Sequence, residues 1–302
     1  MIQTNLPLLH YTTATGLLGM FKDYTKEQPN IRLWATHYMY LNDPEEYELG
    51  KKICTEIIEQ IEQELNVPTD CRVKTCIQDK EYLCEIDKYR KTSQGQLVNP
   101  YIISFSKVND SLHMWDMYSS KGNGLALVFN CQKLLDAKIL LKDCFYCNPN
   151  CENIIHCVSD KYKEDIIEIY QNTDKSNPLS MVEESMKSGD KIPALIRAYT
   201  IYTLICGHIG IRLKNLAYKI EQESRITVNG KEGFKLLFRD RNGTILPYIE
   251  YPIPFDCVDY ILVGPTADFN LVRESILIFF DHKGVKNWNK NKILQSQIPY
   301  RL

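Results

Sequence analysis

The chain has 302 residues, of which 44% are hydrophobic and 25% charged, and its formal net charge is −2. This composition is typical of a folded globular protein and excludes a chain that is disordered throughout. The near balance of charge argues against a protein that binds nucleic acid mainly through overall positive charge, although a local basic patch is compatible with it. We expect a single domain over residues 1–302.

The sequence predicts a cytoplasmic protein without a membrane-spanning segment. The longest uncharged stretch of interest, residues 198–211, is shorter than the about 20 apolar residues that a spanning helix needs. The first residues lack the basic segment and the long apolar run of a secretory signal. The 11 cysteines are therefore expected to be reduced and mostly buried thiols.

The N-terminal half of the chain predicts alternating strands and helices, because runs of branched and aromatic residues alternate with segments of helical periodicity. The predicted strands are residues 6–11, 31–40 (a strand and then a loop), 100–106, 125–129 and 138–146. The predicted helices are residues 13–24, 45–65, 74–91 and 110–118.

The C-terminal half begins with a helical region at about residues 158–220, interrupted near 174–178 and 189–193, which we interpret as an insertion or subdomain. The period then changes to that of strands, and Asn-Gly pairs at 229–230 and 242–243 predict hairpins. The predicted strands are residues 224–228, 233–239, 244–251 and 260–263, and an Asp-capped helix over 268–282 follows them. The irregular alternation of strands and helices predicts an α+β fold with a largely antiparallel sheet.

Common nucleotide-binding, metalloprotease and serine-hydrolase motifs are absent, since the chain contains no GxGxxG, Walker, HExxH or GxSxG sequence. The densest cysteine cluster consists of Cys144, Cys147, Cys151, His156 and Cys157. Cys144-x-x-Cys147 is typical of half a zinc site, but no second pair with that spacing follows. Thiols also commonly fill cores, so we expect no metal and leave the role of this cluster open.

Three groups of polar and aromatic residues are candidates for one site. They are His10 with its neighbours Tyr11 and Thr12; Tyr38, Tyr40, Asn42, Asp43 and Tyr47; and Ser104 and Ser106 with the following Trp115 and Tyr118. Each group also has a structural interpretation: a histidine at a strand end, a helix cap beside core aromatics, and a strand packed on an amphipathic helix. We expect Trp115 to be mainly structural.

A fourth candidate is the series Tyr218, Glu221, Glu223 and Arg225. If the last three lie on a strand, they share one face, because side chains on a strand repeat every two residues. Two carboxylates and a guanidinium in a row form either an ion-pair ladder or a site. Alternatively, both glutamates lie on the last turn of the preceding helix.

Seven segments, in this order, resemble a bacterial family known only as domain of unknown function 2971. They are LLHYT, LWATHYMYLNDPEEYELG, ISFS, MWDMYS, GNGLALVF, YKIEQESR and ILVGP. The resemblance extends from Leu8 to Pro265 and depends on the combination, since each segment alone is unspecific. The helical middle and the cysteine cluster take no part in it, and it implies no activity.

His10-Tyr11-Thr12, followed by a helix, a strand and an aromatic loop, also resembles the opening of the ADP-ribosyltransferase fold of the diphtheria-toxin and poly(ADP-ribose) polymerase type. This resemblance implies a split β-sheet core and a His–Tyr–Glu triad. It places His10 at the position of the family's histidine and Thr12 at the position of its small hydroxyl residue. Tyr40 and Tyr47 fall at the two aromatic positions that sandwich nicotinamide, and Glu223 at the late glutamate.

Two further segments are similar to the arginine-modifying branch of that fold. Ser104-Phe105-Ser106 is similar to its Ser-x-Ser motif and Glu221-x-Glu223 to its Glu-x-Glu motif. That branch begins with arginine where this chain has His10, so the sequence matches neither branch fully.

The resemblance implies an NAD-dependent ADP-ribosyltransferase-like protein that acts as a bacterial toxin or anti-phage effector. NAD would be its substrate, and the acceptor, whether protein, nucleic acid or small molecule, stays open. Catalytic roles are implied for Glu223, His10 and Tyr40. Contacts with NAD are implied for His10, Tyr11, Thr12, Tyr40, Tyr47, Ser104 and Arg225.

Two alternatives belong to other functional classes. One is a catalytically inactive recognition or scaffold domain on the same fold. The other is a phosphoester enzyme that holds a metal at Asp43, Glu45 and Glu46, although a turn and a helix start explain these residues equally well.

Overall fold

A computed structural model describes residues 7–43, 45–78, 100–172, 184–189, 192–229, 234–241 and 243–300. These residues form a mixed α+β structure with a mostly antiparallel sheet, which confirms the predicted fold class at that level. The strands are β1 (Leu8–Thr12), β2 (Asn30–His37), β3 (Pro100–Ser106), β4 (Leu125–Phe129), β5 (Lys142–Asp143), β6 (Phe145–Cys147), β7 (Leu213–Asn215), β8 (Glu223–Asn229), β9 (Leu237–Arg241), β10 (Thr244–Pro254), β11 (Val258–Val263) and β12 (Ile293–Gln295). The α-helices are α1 (Ala14–Met20), α2 (Glu46–Glu64), α3 (Val73–Cys76), α4 (Leu112–Tyr118), α5 (Cys131–Asp136), α6 (Ile154–Asn172), α7 (Ile192–His208) and α8 (Phe269–Lys283).

Local capping fixes several helix ends. The Thr13 side chain accepts a hydrogen bond from the Gly16 N–H at the start of α1, and Asp268 accepts one from Leu271 at the start of α8. Helix α8 ends at Gly284, whose φ of +67° is the left-handed conformation that glycine adopts without strain. These short-range signals explain why the predicted helix over 268–282 agrees with the structure.

Two predicted elements are wrong in part. The strand expected over 138–146 is two short strands, because β5 pairs with β8 in the main sheet whereas β6 pairs with β7 in a separate one. The helical region expected to reach residue 220 ends at His208 and is followed by β7 and a 3-10 segment, Leu216–Glu221.

Other predictions lie partly outside the described residues. These are residues 79–91 of the helix expected over 74–91, the helix break near 174–178, and one member of each Asn-Gly pair, Gly230 and Asn242. Strands β9 and β10 nevertheless form an antiparallel pair, with Thr244 opposite Arg241.

The main sheet forks at β3. Strand β8 pairs with β3 along its whole length, so β1 and β2 share the opposite edge of that strand. Strand β1 meets it at Ser106, and β2 meets it at Tyr101 and Ile102. Between these contacts β1 and β2 diverge, and Ser104 is exposed in a strand that is otherwise buried. One branch continues through β4, β11 and β12, the other through β10 and β9.

Two hydrophobic cores support this sheet. The larger is formed by strands of both branches together with α1 and α8. The second is formed by α2, α3, α6 and α7, so most of the predicted helical insertion packs against α2. A smaller cluster contains the fully buried Trp115, whose indole N–H donates to Asp110 at 2.7 Å.

By length and composition, one described stretch, Pro193–Arg212, could cross a membrane. More than half of this stretch is buried inside the protein, where α7 belongs to the second core. The core helices of soluble proteins share this property.

Candidate functional site

The fork opens into a cavity of about 670 Å³, a volume within the range of about 300–1,000 Å³ that small-molecule sites occupy. Its lining includes most of the predicted site residues: His10, Tyr11, Thr12, Tyr40, Ser104, Glu223 and Arg225. Tyr47 does not belong to this lining. Its ring packs edge-on against Tyr38, with 4.4 Å between the ring centroids, at the margin of the second core.

The strand register places the polar side chains of the cavity on one face of the sheet. Ser104 lies opposite Arg225, and Ser106 lies opposite Glu223. Residues directly opposite each other in an antiparallel pair point to the same side, and alternate residues on a strand do so too. Because side chains on β3 and β8 repeat every two residues, the two strands place two hydroxyl groups, a carboxylate and a guanidinium in one row.

A buried ionic cluster forms one end of the cavity. It contains three carboxylates and two cations, each 1–5% exposed. Helix α2 contributes Glu46, β7 contributes Lys214, the 3-10 segment contributes Glu221, and β8 contributes Glu223 and Arg225. The sequence prediction of one strand face holds for Glu223 and Arg225 but is wrong for Glu221, which precedes the strand.

The contacts within this cluster are short and mutual. Lys214 Nζ donates to Glu221 Oε2 at 2.6 Å and to Glu223 Oε2 at 2.5 Å. Arg225 donates from Nε to Glu223 Oε1 at 2.7 Å and from Nη2 to Glu223 Oε2 at 2.8 Å. Its Nη1 pairs with Glu46 and also donates to the Ile211 carbonyl at 2.5 Å. The bidentate geometry holds the Glu223 carboxylate in one orientation.

These ion pairs keep Glu223 ionised. Burial by itself would raise the pKa of Glu223, but Arg225 and Lys214 outweigh burial and lower that pKa to about 2. Burial dominates at Glu46, whose pKa is raised in spite of Arg225. The carboxylates outnumber the cations, so the cluster is suited to a ligand that carries or develops positive charge.

Glu221 links the ionic cluster to β3 and α4, which supply Ser106 and Tyr118. Its Oε1 accepts a hydrogen bond from the Tyr118 hydroxyl at 2.7 Å, and its carbonyl oxygen accepts one from the Ser106 hydroxyl at 2.7 Å. Burial and the Glu221 charge raise the pKa of Tyr118, so this hydroxyl stays a donor. Ser106 and Tyr118 therefore position Glu221 from two separate elements.

His10 lies at the fork itself. Its Nδ1 is 3.0 Å from the Ser104 carbonyl oxygen, and its ring lies 5.6 Å from that of Phe105. Burial lowers the pKa of His10; the Ser104 carbonyl opposes this effect and the charge of Arg239 adds to it. The neutral ring donates from Nδ1 to Ser104, which leaves Nε2 as an acceptor.

Two arginines on β9, which sequence reasoning missed, line the other end of the cavity. Arg239 stacks over Trp34 at 4.9 Å and donates from Nη2 to the Thr36 hydroxyl at 2.8 Å. Arg241 donates from Nη2 to the Tyr40 carbonyl at 2.7 Å. Their Arg-x-Arg spacing in an edge strand was the signal available in the sequence, since it places both side chains on one face.

The cysteine cluster does not converge. Cys147 is buried and Cys144 half-buried, whereas Cys151 and Cys157 are exposed. Burial raises the pKa of Cys144, which makes its thiol inert. Within the described ranges no three His, Cys, Asp or Glu side chains are arranged to hold a metal ion. The pairing of Glu46 with Arg225 also removes support from the metal-dependent phosphoester hypothesis.

Comparison with known proteins gives a match to a protein family. A family model described as "Protein of unknown function (DUF2971)" matches residues 114–226, which supports the family resemblance noted in the sequence. The matched range contains Tyr118, Lys214, Glu221, Glu223 and Arg225, and it includes the helical middle that the resemblance left out. No curated protein and no solved structure matches the chain.

Proposed function

We propose that this chain is an NAD-consuming enzyme of the ADP-ribosyltransferase type, with its active site in the cavity at the fork. The convergence of His10, Tyr40 and Glu223 on one cavity supports this proposal. His10 and Glu223 are more than two hundred positions apart in the chain, and the resemblance assigns the three roles of the triad to His10, Tyr40 and Glu223. The fork between β1 and β2 supports the split-sheet type of fold in the same way.

The proposed reaction breaks the bond between nicotinamide and ribose. The electron pair of that bond leaves with nicotinamide, and positive charge develops on the ribose as in glycoside cleavage. The acceptor then forms the new bond to the ribose carbon and loses its proton. A fixed, ionised carboxylate beside this carbon stabilises the cation, and such preorganised groups contribute about 3–4 kcal/mol each.

Glu223 is the carboxylate with the required properties. It is buried, its pKa of about 2 keeps it charged, and Arg225 and Lys214 hold its orientation before substrate arrives. The contacts of Arg225 with Glu223 and Glu46 favour a positioning role for this arginine rather than a direct contact with phosphate. His10 Nε2 can accept from a ribose hydroxyl, and the Tyr40 ring can stack on nicotinamide.

The direct test is release of nicotinamide from NAD, with and without a cell lysate that supplies protein and nucleic-acid acceptors. Wild-type protein should release nicotinamide, and Glu223→Gln should lower the rate about 100- to 1,000-fold. Glu62→Gln is the matched control, because Glu62 is also a buried carboxylate paired with an arginine, Arg197, but lies in the second core. Equal rates for Glu223→Gln and wild type would contradict the proposal.

A catalytically inactive recognition domain is the second candidate. The observation that favours it is that both Glu223 oxygens already accept hydrogen bonds from Arg225 or Lys214, as in a purely structural ion pair. This candidate predicts NAD or a partner bound without release of nicotinamide, in the presence or absence of lysate.

The proposed biological role, a toxin or an anti-phage effector, comes from the resemblance. Such a protein would deplete NAD or modify a cellular component with it. Expression of the wild type should then arrest growth of a host cell, and expression of Glu223→Gln should not.

A further inference from the structure

The arginine end of the cavity, formed by Arg239 and Arg241 beside Thr36 and Trp34, has no role in the cleavage chemistry. Arg239 is half-buried between two rings, 4.9 Å from the centroid of Trp34 and 5.6 Å from that of Tyr248. Its Nε is buried and has no hydrogen-bond partner among the described residues. A guanidinium carries five N–H donors in a planar fork, so several of them are available to a ligand.

Among the described residues, both guanidinium groups lack a counter-ion. In the part of the chain that the structure describes, no carboxylate lies within ion-pair distance of Arg239 or Arg241. Burial and the charge of Arg241 lower the pKa of Arg239, which is the effect expected of a cation that faces a second cation. An unneutralised pair in a cavity attracts an anion.

The two ends of the cavity carry opposite charge. Arg239 reaches Thr36, which lies opposite Ile102 of β3, whereas Glu223 on β8 lies opposite Ser106. Two strand spacings across the sheet and four residues along it separate the backbone positions of Thr36 and Glu223 by roughly 16 Å. The side chains of Arg239 and Glu223 both extend into the cavity and shorten this gap, and in a dinucleotide a ribose and a methylene group lie between the diphosphate and the glycosidic carbon.

We propose that Arg239, Arg241 and Thr36 form an anion subsite that binds the diphosphate of the substrate. The forked donors of the arginines match pairs of phosphate oxygens, and the Thr36 hydroxyl orients Arg239. The cavity then selects a ribosyl compound linked to a nucleoside diphosphate, with the ribose toward Glu223. The ribosyl part rests on the proposed function, whereas the anion subsite does not.

Calorimetric titration tests this subsite without turnover when inorganic pyrophosphate and ADP are added to the wild type and NAD is added to Glu223→Gln. All three ligands should bind in these titrations, and Arg239→Gln should raise the Kd of pyrophosphate about tenfold or more. Arg239→Lys should give an intermediate Kd, because lysine keeps the charge but loses the fork. Arg273→Gln is the matched control, since Arg273 also stacks at 4.9 Å on a ring, Phe269, but lies on α8 beside Glu274.

Several outcomes would overturn the subsite. They are no binding of pyrophosphate to the wild type, an unchanged Kd in Arg239→Gln, or an equal loss in Arg273→Gln. If the circular dichroism of Arg239→Gln shows that it is unfolded, Arg241→Gln is measured against the same tenfold threshold. Tighter binding of ADP than of NAD would overturn the dinucleotide assignment.

The experiments distinguish a failure of the anion subsite from a failure of the proposed function. Pyrophosphate binding that depends on Arg239, without any cleavage of NAD, keeps the subsite and rejects the enzyme. Cleavage of NAD with a pyrophosphate Kd that does not depend on Arg239 keeps the enzyme and rejects the subsite.

Discussion

Replacement of Lys214 by methionine tests whether the ionic cluster is held together by its cations. The substitution removes two charge-assisted hydrogen bonds of 2.5 and 2.6 Å and leaves Glu221 and Glu223 buried with fewer partners. Breaking a buried pair by removal of one partner costs about 3–5 kcal/mol. We therefore expect the free energy of unfolding to fall by about 3–5 kcal/mol and the Tm by roughly 5–8 °C.

The assay is thermal and urea unfolding, with Lys163→Met as the control. Lys163 donates to Glu64 at 2.8 Å, but its side chain is 38% exposed and that of Glu64 61%, so its loss should cost less than about 1 kcal/mol. The deficit of Lys214→Met should shrink as the pH falls below 4.5, because Lys214 helps to lower the pKa of Glu223, and the wild type loses the stability that this low pKa supplies as the pH falls toward 2. Equal destabilisation by the two substitutions would refute the reasoning.

Two further predictions concern stability away from the cluster. His37 accepts a hydrogen bond from Met39 N–H, and burial lowers its pKa from 6.5 to about 4, so the protein should lose stability as the pH falls through this range. The loss is at most about 1.4 kcal/mol per pH unit, and urea unfolding of His37→Asn should show a smaller slope. Gly50→Ala should lower the free energy of unfolding by about 1–3 kcal/mol, because its Cβ would lie 2.1 Å from the Gly210 carbonyl oxygen. The same change at Gly207, which has open space around it, should be neutral or slightly stabilising in the same assay.

Strands β3 and β4 show how far local pattern can predict the fold. Both begin and end at the predicted residues, because their branched and aromatic runs are bounded by polar or glycine-containing segments. Prediction failed at residues 138–147 and 209–221, where β5, β6 and β7 have only two or three residues each. Strands of this length have no period of their own and exist because a partner strand is present.

The residues of the candidate site also fall into two groups, those that the sequence identifies and those that only the structure shows. His10, Tyr40, Ser104, Glu223 and Arg225 were identified by residue type and by family resemblance. The sequence does not identify the ionic partners Glu46 and Lys214, since Glu46 is explained equally well as a helix start and Lys214 falls in the predicted helical region. Arg239 and Arg241 likewise gave only a weak local signal, a two-residue spacing in an edge strand.

Composition, periodicity and caps are local properties, and they predict the α+β fold class, the type of most elements and the residues able to carry chemistry. The fork of the sheet at Ser104 and the place of Lys214 between Glu221 and Glu223 are visible only in the folded molecule. These features depend on strand register and helix packing between residues far apart in the chain. Such contacts are selected by the folded molecule as a whole, so no single segment encodes them.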